Sequence, residues 1–223
     1  CGCAYPATVG DAEVERSNEI LARLRTSARG DSERRAALGR LPMSAVAQVG
    51  GLRIAIVHGD PESLAGWGLG HDRLADPGHF DRLAWWCEEA RADVFASSHT
   101  CLPVCRVLVA GKRRSVLINN GAAGMPSFRG TRFGIATRIS THAAPPGVAL
   151  YGARLGSVHV DAVRLDYDHD DWVSRFLSLW PEGTPAHRSY FRRIVCGPAY
   201  ERAQAEPAAI LMRETRRARA GRR

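Results

Sequence analysis

The chain has 223 residues, of which 45% are hydrophobic, and this supplies enough apolar surface for one folded domain. Its formal net charge of +8 is concentrated in residues 213–223, where six arginines and one glutamate occur without any aromatic residue, so a nucleic-acid partner is not predicted. No stretch approaches the roughly eighteen consecutive apolar residues of a membrane-spanning helix, so no membrane partner is expected.

Six cysteines occur in the chain, at positions 1, 3, 87, 101, 105 and 196. A chain of this length and apolar content does not need disulfides to fold, so we expect reduced thiols and a cytoplasmic location. Cys1 and Cys3 form too short a pattern to identify a metal site without a matching second pair. The chain opens on Cys1 in a loop-like segment, and we interpret it as lacking the N-terminal part of its fold.

Two helices are predicted first, one capped by Asp11 and running to about residue 28, the other capped by Asp31 and running to about residue 38. Residues 44–49 and 52–57 follow as two strands, and the second leads directly into His58. Asp60, followed by proline, predicts a further helix start. This capping role would account for Asp60 without metal binding, so Asp60 ranks below His58 as a ligand. His71 and His79 are expected to be surface residues.

A helix from about residue 80 to 91 carries Cys87 in its apolar stripe and precedes a short apolar strand that begins near residue 93 and runs out into a loop. The loop after that strand holds His99 and Cys101, and imidazole and thiolate are both metal ligands. Because ligand sites form in the crevice where adjacent strands of an α/β sheet end, His58 and His99 are predicted to converge there.

The remaining chain predicts a hairpin over 104–118, with Cys105 inside it, and strands over 133–141, 148–154 and 157–167 with a bulge near Ala162. A helix is predicted over about 172–180, and a last helical region follows Pro198. We therefore divide the chain into a domain over residues 1–198 and a C-terminal helix with an arginine-rich tail over 199–223.

Two motifs in this order resemble the bacterial calcineurin-like metallophosphoesterases: Val-His-Gly-Asp at 57–60 and Ser-His-Thr-Cys-Leu-Pro at 98–103. In the C-terminal half of proteins of that family, one strand ends in His-Gly. A later strand ends in Gly-His-x-His, which is followed by an apolar residue and proline. Segments 119–126 and 133–138 also resemble it, and the likeness covers roughly residues 41–165. Here Ser98 replaces the glycine, Cys101 replaces the second histidine, and the family's early Asp-x-His, Gly-Asp-x-x-Asp and Gly-Asn-His-Asp motifs do not occur.

The resemblance implies a four-layer α/β/β/α sandwich with a site for two divalent metal ions, Mn, Fe or Zn, at the strand ends. It implies hydrolysis of a phosphomonoester or phosphodiester by a metal-activated water, with His58 and His99 holding one metal and Cys101 facing the other. Because the bridging Asp, the Asn ligand and the general-acid His belong to the early motifs, we expect the chain alone to be inactive. The alternative is a degenerate, non-catalytic binding module with the same fold, and neither the substrate nor the oligomeric state can be read from the sequence.

Overall fold

The structure, a computed structural model, describes residues 4–212, so Cys1, Cys3 and the arginine-rich tail lie outside the described residues. The α-helices of the described range are α1 (Asp11–Ala28), α2 (Ser32–Gly39), α3 (Phe80–Glu89), α4 (His169–Leu179), α5 (Pro185–Cys196) and α6 (Arg202–Ala205). The strands are β1 (Ser44–Val49), β2 (Leu52–Val57), β3 (Val94–Ser97), β4 (Pro103–Ala110), β5 (Arg113–Asn120), β6 (Gly134–Ser140), β7 (Ala149–Leu155), β8 (Val158–Leu165) and β9 (Ala208–Leu211). No helix in the described range is both long and apolar enough to cross a membrane.

The larger sheet has the strand order β1-β2-β3-β5-β4-β9. Its centre, β2-β3-β5, is parallel, whereas β1 pairs with β2 and β4 pairs with β5 in antiparallel hairpins. Parallel central strands are covered on both faces, which matches the nearly continuous apolar runs that these strands have in sequence. The three strands therefore end at one common edge, where the loops after β2 and β3 lie.

Successive residues of the central strands supply two different cores, because side chains alternate between the faces of a sheet. Ala55 and Phe95 pack with Trp86 of α3 on one face. Ile54 and Val94 pack on the opposite face against the smaller sheet. Helix α3, the larger sheet and the smaller sheet are thus stacked in that order.

The smaller sheet is antiparallel, in the order β6-β8-β7. Its pairing shifts between Ala149 and Tyr151, which face Val163 and Ala162. The irregularity predicted near Ala162 is therefore present, but the additional residue, Leu150, lies on the partner strand. The mixed α/β fold with sheets flanked by helices, expected from the sequence, is confirmed.

Helices α1, α4 and α5 share a third apolar cluster that contains Ile20, Phe176 and Ile194. Helix α5 is missing from the elements predicted from sequence, although a proline at its first turn after Thr184 is a typical helix start. The same signal was misleading at Asp60, where the chain forms turns and not a helix. At these two sites, a proline after a capping residue marks the start of a helix only where an amphipathic segment follows it.

The segment after Pro198 forms the short helix α6 and then β9, which pairs in parallel with β4 at the edge of the larger sheet. The sequence pattern predicts only helix in this segment. Ile210 of β9 is buried against the core shared with α3, and this tertiary contact stabilises a strand of only four residues.

Gly134 offers a direct test of the junction between the two sheets. A Cβ atom there would lie 1.7 Å from the carbonyl oxygen of Ala123, whereas a Cβ at Gly124 would meet nothing within 4 Å. We expect Gly134→Ala to lower the free energy of unfolding by about 1–3 kcal/mol, because backbone must move. Gly124→Ala, the matched control, should change it by less than about 1 kcal/mol in a urea titration. Equal stability of the two variants would contradict the close approach of these segments.

Candidate functional site

His58 and His99 meet at the edge where the parallel strands end. Strand β2 pairs in parallel with β3, and His58 and His99 follow them by one and two residues. Nδ1 of His99 lies 3.3 Å from Nε2 of His58, and the ring centroids are 5.1 Å apart with planes at 66°. The amide N–H of Ser98 donates to the carbonyl oxygen of His58 and ties the two loops together. The predicted convergence of the two imidazoles is confirmed.

The separation of the two ring nitrogens fits a shared metal ion. Two nitrogens that each lie about 2.0–2.1 Å from one tetrahedral ion are roughly 3.3–3.4 Å apart. The same separation also fits a hydrogen bond between neutral imidazoles, in which one of the two nitrogens donates. Geometry alone thus makes the pair competent to chelate, and metal binding stays a prediction.

Cys101 lies in the same loop, but its thiol is directed elsewhere. Its S–H donates to the carbonyl oxygen of His99 at 3.3 Å. Among residues 4–212, no group of three histidine, cysteine or acidic side chains is positioned to hold a metal ion. The assignment of Cys101 as a ligand to a second ion therefore stays a prediction, and it would require the thiol to turn away from its present partner.

The His99 loop is held in an unusual backbone conformation. His99 has φ of 54° and Cys101 has φ of 60°, in the left-handed region that non-glycine residues seldom adopt. Such residues persist only where the surroundings over-determine them, and they concentrate at functional sites. The amide N–H of Thr100 donates to the carbonyl oxygen of Ser98 at 2.7 Å and closes the turn.

Asn119, at the end of β5, is the main support of this loop. Its side-chain amide donates to the carbonyl oxygen of Ser98 at 2.6 Å and to the Thr100 hydroxyl at 3.0 Å, while its oxygen accepts the N–H of Gly121 at 2.9 Å. The residue is only 1% exposed. Asn119 belongs to the segment 119–126 that resembles the metallophosphoesterases, but no role was predicted for it; its position at the end of an apolar strand was the available signal.

Asp60 organises the loop after His58. Its carboxylate accepts the backbone N–H groups of Glu62, Ser63 and Gly68 at 3.0–3.1 Å. A Cβ at Gly66 would lie only 2.0 Å from that carboxylate, so the loop closes tightly around it. The ranking of Asp60 below His58 as a metal ligand agrees with this structural role, although the helix predicted after it does not form.

His79 is a buried structural residue, and its prediction as a surface histidine is wrong. It is 7% exposed and packs edge-on against Trp86, a contact between elements that local sequence does not reveal. Its Nε2 donates to the carbonyl oxygen of Gly68 at 2.9 Å, and Arg73 donates to its Nδ1 at 3.3 Å, which fixes the neutral tautomer. His79 thereby anchors the segment that carries Trp67.

A cavity of about 320 Å³ opens beside His99. Residues 99–101 contribute to its lining, and the other lining residues belong to α1 and α5 or are Tyr5 and Trp67. The Trp67 ring meets His99 edge-on at 5.3 Å, so the aromatic wall is continuous with the histidine pair. Arg193 of α5 also lines the cavity, and it donates to the carbonyl oxygen of Cys101.

No protein-family model matches the chain, and no curated protein matches it. The fold is similar to a hypothetical protein from Pyrococcus horikoshii OT3 at 15% identity and a TM-score of 0.53, over 89% of this chain and 69% of that one. Further similarities are to a metallophosphoesterase from Sphaerobacter thermophilus, at 15% identity and a TM-score of 0.44 over 75% of this chain and 62% of that one. A predicted phosphoesterase from Streptococcus pneumoniae TIGR4 matches at 22% identity and a TM-score of 0.28, over 44% of this chain and 47% of that one. At such identities the first likeness shows the fold alone, and the two lower TM-scores carry no argument.

We expect Asn119→Ala to destabilise the fold by about 1–3 kcal/mol, because buried groups of the His99 loop lose their partners. Asn120→Ala is the matched control, since the Asn120 side chain donates one hydrogen bond, to Ile135. Urea unfolding of both variants provides the measurement. An Asn119→Ala variant no less stable than Asn120→Ala would show that the loop does not depend on Asn119.

His79 predicts a pH-dependent stability. Burial lowers its pKa from the ordinary value, with the Gly68 hydrogen bond opposing that shift. The unfolded chain therefore binds a proton more readily, so the contribution of His79 is fully present above about pH 6.5 and declines as the pH falls below it. His79→Gln keeps a donor for Gly68 without titrating, and its unfolding free energy should fall less between pH 7.5 and 5.5 than that of wild type. Parallel pH profiles for the two proteins would refute this.

Proposed function

We propose that this chain contributes the histidine part of a metal-dependent phosphoesterase site, with His58 and His99 binding one divalent ion. The observation that carries the proposal is the 3.3 Å approach of Nδ1 of His99 to Nε2 of His58 at the ends of adjacent parallel strands. The resemblance of residues 57–60 and 98–103 to metallophosphoesterase motifs supports the same assignment, as does the overall fold. The substrate is a phosphomonoester or phosphodiester.

A divalent ion at such a site supplies Lewis-acid chemistry and activates water for in-line attack on phosphorus. The chain's own contribution is to hold His58 and His99 in a fixed mutual geometry before the ion binds. Asn119 fixes the His99 loop, and Trp67 covers one edge of the His99 ring. Such pre-organisation raises metal affinity because few side chains need to be ordered on binding.

The described residues supply donors for one ion only. No group of three potential metal-binding side chains occurs between residues 4 and 212, so a carboxylate that could bridge two ions is not gathered here. The second ion, which Cys101 would face, is therefore a proposal that needs further donors. Two imidazoles and a thiol favour Zn²⁺ or Fe²⁺ over Mn²⁺. We accordingly expect the chain alone to show little or no turnover of a simple phosphodiester.

A non-catalytic module of the same fold is the second candidate. It is favoured by one observation, the Cys101 thiol bonded to the His99 carbonyl in place of a second imidazole. In that case the site has lost its metal, and the two histidines form only a hydrogen bond to each other. Metal binding by the purified chain separates the two candidates.

We expect the chain to bind about one Zn²⁺ ion, measured by titration calorimetry and by metal content after gel filtration. His58→Gln and His99→Gln should each weaken binding by about tenfold or more, since each removes one of two strong ligands. His142→Gln is the matched control, because His142 is exposed and its neighbour Thr141 lies against Gly50, at the end of β2 opposite to His58. If all three variants bind Zn²⁺ with the affinity of the wild type, the proposal is contradicted.

Cys101→Ala and Cys101→His extend the test to the second position. If Cys101 faces a metal, the His variant should bind Mn²⁺ better than wild type does, because imidazole is a harder ligand than thiolate. The Ala variant should lose affinity for Zn²⁺. An Ala variant with the metal content of wild type would remove Cys101 from the ligand set and leave the histidine pair unaffected.

A further inference from the structure

Arg193 is a half-buried cation whose charge is not balanced by an acidic partner. Its guanidinium donates to two backbone carbonyl oxygens, those of Cys101 and Pro126. In the part of the chain that the structure describes, no carboxylate lies within 4 Å of it. A charge removed from water without a counter-charge is costly, and an anionic ligand would offset that cost.

The cavity that Arg193 lines is of a size that small molecules occupy. Its volume of about 320 Å³ lies at the lower end of the range for ligand pockets. Helix α1 contributes Ile20, Leu21 and Leu24 to the lining, together with Glu13 and Ser17. The cavity therefore combines apolar surface from α1 with the cationic side chain of Arg193.

Aromatic rings lead from the histidine pair into this cavity. Trp67 meets His99 edge-on at 5.3 Å, and Tyr5 meets Trp67 at 5.7 Å with the ring planes at 42°. The Tyr5 hydroxyl donates to Ser17 of α1, which holds Tyr5 against that helix. A planar group in the cavity would pack against these aromatic side chains, and contacts between aromatic rings are attractive.

The described residues that line the cavity include one acidic and one basic side chain, Glu13 and Arg193. Glu13 is exposed on α1, whereas Arg193 is half-buried and donates to the Cys101 carbonyl oxygen. An anion in the cavity is therefore best placed at Arg193, next to Cys101.

We propose that this cavity binds the substrate as an aryl phosphoester, with the phosphate at Arg193 and the aromatic group between Trp67 and α1. This rests on the proposed function, because it assigns the substrate class of the same site. The phosphate then lies near His99, which belongs to the histidine pair that would hold the ion. A small pocket that combines apolar surface with the half-buried Arg193 guanidinium selects a compact organic phosphate over a free anion.

The test is calorimetric titration of the full chain with phenyl phosphate, phenol and inorganic phosphate in buffer containing EDTA, so that no metal contributes. We expect phenyl phosphate to bind most tightly. Arg193→Gln should weaken its binding by about tenfold or more, because a charge-assisted hydrogen bond is lost. Arg192→Gln, on the exposed neighbouring position of the same helix, should bind as wild type does.

Two further variants keep the test decisive if Arg193→Gln does not fold. Arg193→Lys retains the charge and should retain part of the affinity, whereas Leu21→Trp fills the apolar wall with Arg193 intact and should abolish binding. Equal binding of phenyl phosphate and phenol, of phenyl phosphate and inorganic phosphate, or of wild type and a folded Arg193→Gln would overturn the proposal. Because metal is absent, a failure here leaves Zn²⁺ binding by His58 and His99 untouched. Conversely, if His58 and His99 bind no Zn²⁺, the phenyl phosphate result is unaffected.

Discussion

The parallel pairing of β2 with β3 is the constraint on which the site depends. Parallel neighbours end at the same edge of a sheet, so the residues that follow them meet although a long crossover connection joins the two strands. His58 and His99 are 41 residues apart in sequence, and their ring nitrogens approach to 3.3 Å. Both strands are held from two sides, by the core under α3 and by the core under the smaller sheet. A slip of one residue between them would exchange these faces and separate the histidines.

The loop that carries His99 is fixed by contacts from distant parts of the chain. Asn119 bonds it from the end of β5, and Arg193 bonds the Cys101 carbonyl from α5, 92 residues further along. These bonds hold His99 and Cys101 in left-handed backbone conformations that cost energy locally. A catalytic or metal-binding loop benefits from such support, because ligands that are already ordered lose less entropy on binding.

Most helices and strands with a regular spacing of apolar residues were predicted from the sequence. The convergence of His58 and His99 was predicted as well. Strands β1 and β2 have the predicted bounds, because their apolar runs are separated by Gly50 and Gly51. The errors arose where tertiary contacts override local signals. His79 is buried by Trp86 and by the Gly68 carbonyl, which lies 11 residues away. The role of Arg193 depends on an approach of α5 to the His99 loop, and no local pattern encodes that approach.

The central claim is that one metal ion is shared by Nε2 of His58 and Nδ1 of His99. The most direct measurement is a long-range ¹H–¹⁵N correlation spectrum of the histidine rings, recorded before and after addition of one equivalent of Zn²⁺. The account predicts that these two nitrogens shift together to the position of metal-bound imidazole nitrogen, while His142 and His187 do not change. Shifts confined to other histidines, or no shift at His58 and His99 under saturating Zn²⁺, would contradict it.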